Sequence, residues 1–233
     1  MRALYKLYSV IISMCFSFKT SIVSYTLGMA SAAFALYTGQ LMLGVLILFY
    51  SQMQLAEAFI WRGIDVNDLK LNRAGTSYGK YLLPTHNIAL GIGLLLSIIL
   101  IQKRTLKLND FIPLTMGVIF YGIIMMLYAR GNFADTTFPA NQCAESQDCQ
   151  SWGNRLRWPF PHSWYMASYC ISLIILFFYY DGPLNSKIFL CAAFSILLIA
   201  TAYVSPRSVG SLWCTSTALA APIIVGINWI LTK

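Results

Sequence analysis

The sequence predicts an all-α fold: a polytopic transmembrane bundle of seven spans, built as one integral membrane domain over residues 1–233. Three observations carry this. Hydrophobic residues make up 58% of the chain and charged residues only 10%, whereas a soluble domain carries about 25% charged residues. Such a chain cannot coat a water-facing surface, and its mean hydropathy is +0.65. The apolar residues also fall in continuous runs near the ~20 residues that cross a hydrocarbon core, without the alternation of barrel strands.

The spans are expected at 20–38, 41–61, 82–102, 111–129, 163–180, 187–204 and 212–231. A tight turn at Thr38-Gly39-Gln40 joins the first two. If that pair forms a re-entrant hairpin, six spans remain. Pro84 suits the first turn of the third helix, where its missing N–H costs nothing, and Thr85 can serve the orphan amides there. The sixth span is the shortest. Pro222 is placed to kink the seventh, with Gly226 and Asn228 beyond it. Polar stretches around 62–81, 130–162 and 205–211 read as loops on the side of the N-terminus.

Residues 1–12 carry Arg2 and Lys6 beside an apolar stretch, superficially like a signal peptide, but no small-residue cleavage site follows. A short interfacial helix is the expectation, with a natural start at Met14 left open. Counting Lys and Arg places the N-terminal side in the cytoplasm. Cys143 and Cys149 oppose that, because two cysteines in a polar loop suggest a disulfide and an oxidising compartment. Long loops weigh little in the charge rule, and Lys103, Arg104 and Lys107 form a compact anchor on the opposite side. The reading adopted puts the N-terminus outside the cytoplasm. Cys170 and Cys191 read as small apolar residues within spans.

The net charge is +8. Its basic residues are scattered through loops rather than gathered in a stripe, so nucleic acid is not the expected partner. They read as anchors on the headgroups of the lipid bilayer, and a homo-oligomer stays open.

Ionisable groups at membrane depth are costly and point to function. In the second span Tyr50, Gln54, Glu57 and Trp61 recur at spacings of four, three and four, which places them on one helical face. Glu57 lies one turn inside Trp61, roughly 6 Å at 1.5 Å per residue. A carboxylate there needs a partner, a proton or water. His86 and Asn87 open the third span, and reading 62–81 as a loop puts His86 at the depth of Glu57, where the two could pair. The segment Trp152–Trp164 is dense in Trp, Arg and Pro and predicts an ordered cap. In it Arg155 and Arg157 could hold phosphate or carboxylate groups, and His162 closes it. Arg207, Trp213 and Cys214 fall on the same side, and Cys15-x-Ser17 is faintly echoed by Cys214-x-Ser216.

Met14-Cys15-Phe16-Ser17 with Ser21, followed by Gln54-x-x-Glu57-x-x-x-Trp61, resembles an uncharacterised family of small polytopic membrane proteins from bacteria and large DNA viruses. Ser211-Leu212-Trp213-Cys214 is a looser match. This chain departs from the family in having residues 1–13 upstream, Ala58 where Gly is usual, and no basic run after the first span. The resemblance implies the site and supplies no activity.

A P-loop, a dinucleotide fingerprint and His-Glu-x-x-His are all absent from the sequence. The leading expectation is binding and transport of a small solute, ion or proton in a polar pocket near one membrane face. Glu57 is its charge, and Gln54 with Tyr50 extends the path inward. The second is a membrane enzyme acting on a lipid or lipid-linked substrate, with a metal ion held by Glu57, His86 and His162. The third is a structural or assembly protein whose polar cluster fixes helix packing.

Overall fold

The computed structural model describes residues 17–139, 156–160, 162–204 and 209–233, without the side chains of His162, Tyr165, Val204, Val209 and Gly210. Cys15, Cys143, Cys149, Arg155 and Arg207 lie outside the described residues. The described residues are mostly helical, with one two-stranded ribbon among them. Among the described residues five helical stretches are long and apolar enough to cross a membrane: Leu41–Asp65, Leu69–Gln102, Leu108–Arg130, Leu184–Tyr203 and Ser211–Leu231. That is what a helical integral membrane protein requires.

Helix α1 (Phe18–Tyr37) starts at Ser17, whose hydroxyl accepts from the amide of Thr20. It has membrane length, but serines and threonines dilute its hydrophobicity. The expected turn follows, with Gly39 at φ 81°, a left-handed conformation that glycine adopts without strain. Helix α2 (Leu41–Asp65) runs back through the centre of the bundle, with most of its residues buried.

The stretch expected as a loop at 62–81 is helical instead. Helix α2 continues to Asp65, and the chain reverses through Val66–Asp68 with Asn67 left-handed at φ 55°. Asp68 then caps α3 (Leu69–Leu82) by accepting from the amides of Lys70 and Leu71. A short 3-10 turn (Leu83–Thr85) joins α3 to α4 (His86–Ser97), which ends in a π turn over Ile98–Gln102. The whole stretch Leu69–Gln102 lies antiparallel along α2. Gly63 meets Asn72, Gly75 meets Ala56 and Ile60, and Gly93 meets Met42. A Cβ on Gly75 would come within 2.7 Å of the Ala56 carbonyl oxygen, so glycine is what lets the two backbones approach.

Helix α5 (Ile112–Arg130) leads to strands β1 (Phe138–Pro139) and β2 (Leu156–Arg157), paired antiparallel with Phe138 opposite Arg157. Then come α6 (His162–Tyr179), whose apolar part Met166–Tyr179 is short, α7 (Leu184–Val204) and α8 (Val209–Leu231). Helix α8 continues through Pro222 and packs on α1, α2 and α7.

Candidate functional site

The face predicted on α2 is buried throughout. Gln54 and Glu57 are fully buried, and Tyr50 and Trp61 nearly so. Gln54 donates from Nε2 to Glu57 Oε2 at 3.3 Å and accepts at Oε1 from Thr215 of α8 at 3.1 Å. The other carboxylate oxygen accepts from the indole N–H of Trp158 at 3.4 Å. The Ser211 hydroxyl is close enough to act on the carboxylate as a hydrogen-bond donor, although it falls outside strict hydrogen-bond geometry. Among the described residues no basic side chain pairs with Glu57. Among the described residues this fully buried carboxylate is thus met by neutral donors.

The wall opposite α2 is hydroxyl-rich. Gly28 of α1 lies against Ser51 of α2 and Ala218 of α8, and Gly44 lies against Leu36. Continued toward Ser17, that register carries Ser24 and Ser21 to the level of Gln54 and Glu57, and of Cys214 and Ser211. Both serines are fully buried, and neither hydroxyl has a hydrogen-bond partner. Other hydroxyls on these helices bond back to the preceding turn, as Ser31 does to the Leu27 carbonyl and Ser51 to that of Ile47. Ser211 Oγ, Thr217 Oγ1 and the indole nitrogens of Trp61 and Trp213 are likewise buried and unpartnered. Orphaned buried polar groups are rare in folded proteins, and each one calls for an explanation.

The expected cap covers this end of α2 through Trp158, which reaches Glu57. Trp158 seats its six-membered ring on Gly79 of α3, where any Cβ would collide with it, and stacks on Phe160 at 5.3 Å. Phe160 continues into a cluster with Tyr128, Phe133 and Trp164, under the Lys80 ammonium, 4.8 Å from the Tyr128 ring centre. The segment before β1 is pinned to α3. Asn72 donates to the Thr137 carbonyl at 2.8 Å, and the Thr137 amide returns a bond to Asn72 Oδ1 at 2.9 Å.

The expected pairing of Glu57 with His86 does not form. Because the chain turns at Val66–Asp68, His86 packs against Tyr50, ring centres 4.3 Å apart, beside the Phe49 carbonyl. Tyr50 lies two turns from Glu57, about 10 Å along the helix, and His86 Nε2 is buried without a partner. Asn87 points elsewhere again: it donates to Ser168 at 3.3 Å and accepts from Ser172 at 2.7 Å, both on α6. Trp213 meets Tyr50 at 5.0 Å and Tyr169 at 5.8 Å, between centroids. Cys214 is a fully buried free thiol within electrostatic reach of Glu57 and Tyr50.

Among the described residues no three His, Cys, Asp or Glu side chains come together. Of the metal set proposed from sequence, Glu57 and His86 occupy different levels, and the His162 side chain is not among those described. Arg157 is exposed on β2. Trp158, Thr215, Ser211 and Ser24 are the site residues that sequence reasoning missed. The signal for Trp158 was its place in the cap, but nothing local tied it to a carboxylate 101 positions away.

No protein-family model, no curated protein and no solved structure matches the chain.

Proposed function

We propose that this is a seven-span membrane protein that binds and passes a small cation or proton at the chamber around Glu57. One observation carries the reading: a fully buried carboxylate that no basic side chain among the described residues pairs with, beside unpartnered hydroxyls. Burying an ionised carboxylate alone is prohibitive, so such a group is stabilised by a counter-charge or by a proton. Exchange of that cation or proton is the elementary step of transport. Helices α1 and α6, added to the five apolar stretches, supply the seven spans. The chamber then lies near the N-terminal face, directed away from the cytoplasm. The motif Gln54-x-x-Glu57-x-x-x-Trp61, which carries the family resemblance, forms the chamber's α2 wall, and membership of that family belongs to this proposal.

The test is uptake into proteoliposomes of the purified protein, with sodium, potassium and proton gradients imposed in turn. Wild type is expected to dissipate one of them, and Glu57→Gln to reduce that flux roughly tenfold or more, the scale of one lost charged contact. Flux unchanged in Glu57→Gln would overturn the reading.

A further inference from the structure

At the opposite end of α2 a cavity of about 210 Å³ opens between Thr38, Gln40, Ser97, Tyr180, Asp181 and Thr232. We propose that it is a second binding site, for a partly hydrated monovalent cation, with Asp181 as its charge.

Gln40 commits its amide hydrogens to Thr38 Oγ1 at 2.9 Å and to the Val225 carbonyl at 3.4 Å. The amide of Gln102 is committed to Asp181. Thr38 donates its hydroxyl proton to the Phe34 carbonyl at 2.9 Å, and Thr232 donates to those of Asn228 and Trp229 at 3.0 Å. Those hydroxyl oxygens therefore have only lone pairs left to offer. Asp181 is exposed, and its second oxygen makes no hydrogen bond among the described residues. Beside the hydroxyls of Ser97 and Tyr180, the lining presents these acceptors, and acceptors favour a cation.

The field has the same sign. Helices α1, α6 and α8 and the π turn all end at this cavity, and helix C-termini carry about half a negative charge each. Only α2 begins there, with amides of opposite sign. Of the nearby bases, Arg104 forks onto Asp110 at 2.7 and 2.8 Å, donates to Gln102 at 2.7 Å and also reaches Asp181 electrostatically, and the Lys233 ammonium lies 3.7 Å from the Trp229 ring centre. One carboxylate among neutral oxygens matches a single positive charge, whereas calcium sites gather several charged ligands. The volume also exceeds one ion, since a water molecule takes about 30 Å³ of liquid, so the ion keeps part of its hydration.

The experiment is equilibrium binding of radioactive sodium and rubidium ions to purified protein in detergent, at ionic strength held with choline chloride. Asp181→Asn is expected to weaken binding at this site roughly tenfold or more, both in wild type and in a Glu57→Gln background. Thr232→Val, which keeps the charge, is expected to weaken it several-fold. Unaltered binding by Asp181→Asn in the Glu57→Gln background overturns the proposal, as does unaltered binding by Thr232→Val or no binding of either ion. Loss in Asp181→Asn with none in Glu57→Gln upholds the cavity and narrows the occupant at Glu57 to a proton, which the flux test then decides.

Discussion

The two ends of α2 are built alike and finished differently. Each carries a glutamine that bonds a polar residue of α8: Gln40 with Asn228, and Gln54 with Thr215. At the first, Asn228 donates to both Gln40 and Tyr180 at 2.6 Å and accepts from Ser186. No buried side-chain atom of that knot lacks a partner. At the second, the bonds run from 3.1 to 3.4 Å, a carboxylate replaces a neutral group, and the hydroxyls of Ser21, Ser24 and Ser211 are left without a strict hydrogen-bond partner. Fastening helices calls for the saturated arrangement, because a buried orphan costs about 1–3 kcal/mol. An end that carries several orphans around a charge is arranged for something other than fastening.

Substitutions can break that contrast, and the largest effect belongs to the saturated end. Asn228→Ala leaves Gln40, Tyr180 and Ser186 without their shared partner, and a loss of about 3 kcal/mol is expected in equilibrium unfolding. Flux through the Glu57 chamber is expected to persist in whatever fraction remains folded. Next is Gly79→Leu, which removes the seat of Trp158. About 1–3 kcal/mol of overpacking is expected, together with greater quenching of tryptophan fluorescence by acrylamide as the cap lifts. If quenching stayed at the wild-type level, Trp158 would not be the roof.

Smaller effects sharpen the orphan argument. Ser21→Ala and Ser24→Ala remove hydroxyls that bond nothing, so stability is expected to change by less than about 0.5 kcal/mol or to rise. A loss above about 1 kcal/mol in both would mean that the hydroxyls are paired. The smallest change is expected for Arg73→Ala, which breaks an exposed ion pair with Asp135 at 2.7 Å. Such pairs contribute about 0–1 kcal/mol, and thermal unfolding in raised salt should not separate the variant from wild type.

Much of this was legible in the sequence. Helix α5 was expected at 111–129 and runs Ile112–Arg130, and α8, expected at 212–231, runs Val209–Leu231. The turn at Gly39 and the buried face of α2 were also readable, since both follow from local pattern. Helix α3 was not. Its inward face is Asn72, Gly75, Thr76, Gly79 and Leu82, at helical spacing but mostly polar or small, so a search for apolar periodicity reads it as a loop. Missing α3 displaced His86 by two turns and produced the Glu57–His86 pair that the structure does not contain. The contacts of Trp158 and Thr215 with the Glu57 motif depend on helix order in the bundle, which no local signal encodes.

The most direct test of the contrast is the unfolding free energy of Glu57→Gln beside wild type in the same detergent. Gln keeps an acceptor for Trp158 and removes a charge that no basic side chain among the described residues pairs with. Stability within about 1 kcal/mol of wild type, or above it, is predicted. A loss of about 3–5 kcal/mol, the size seen when one member of a buried ion pair is removed, would show that Glu57 fastens the fold and contradict the account.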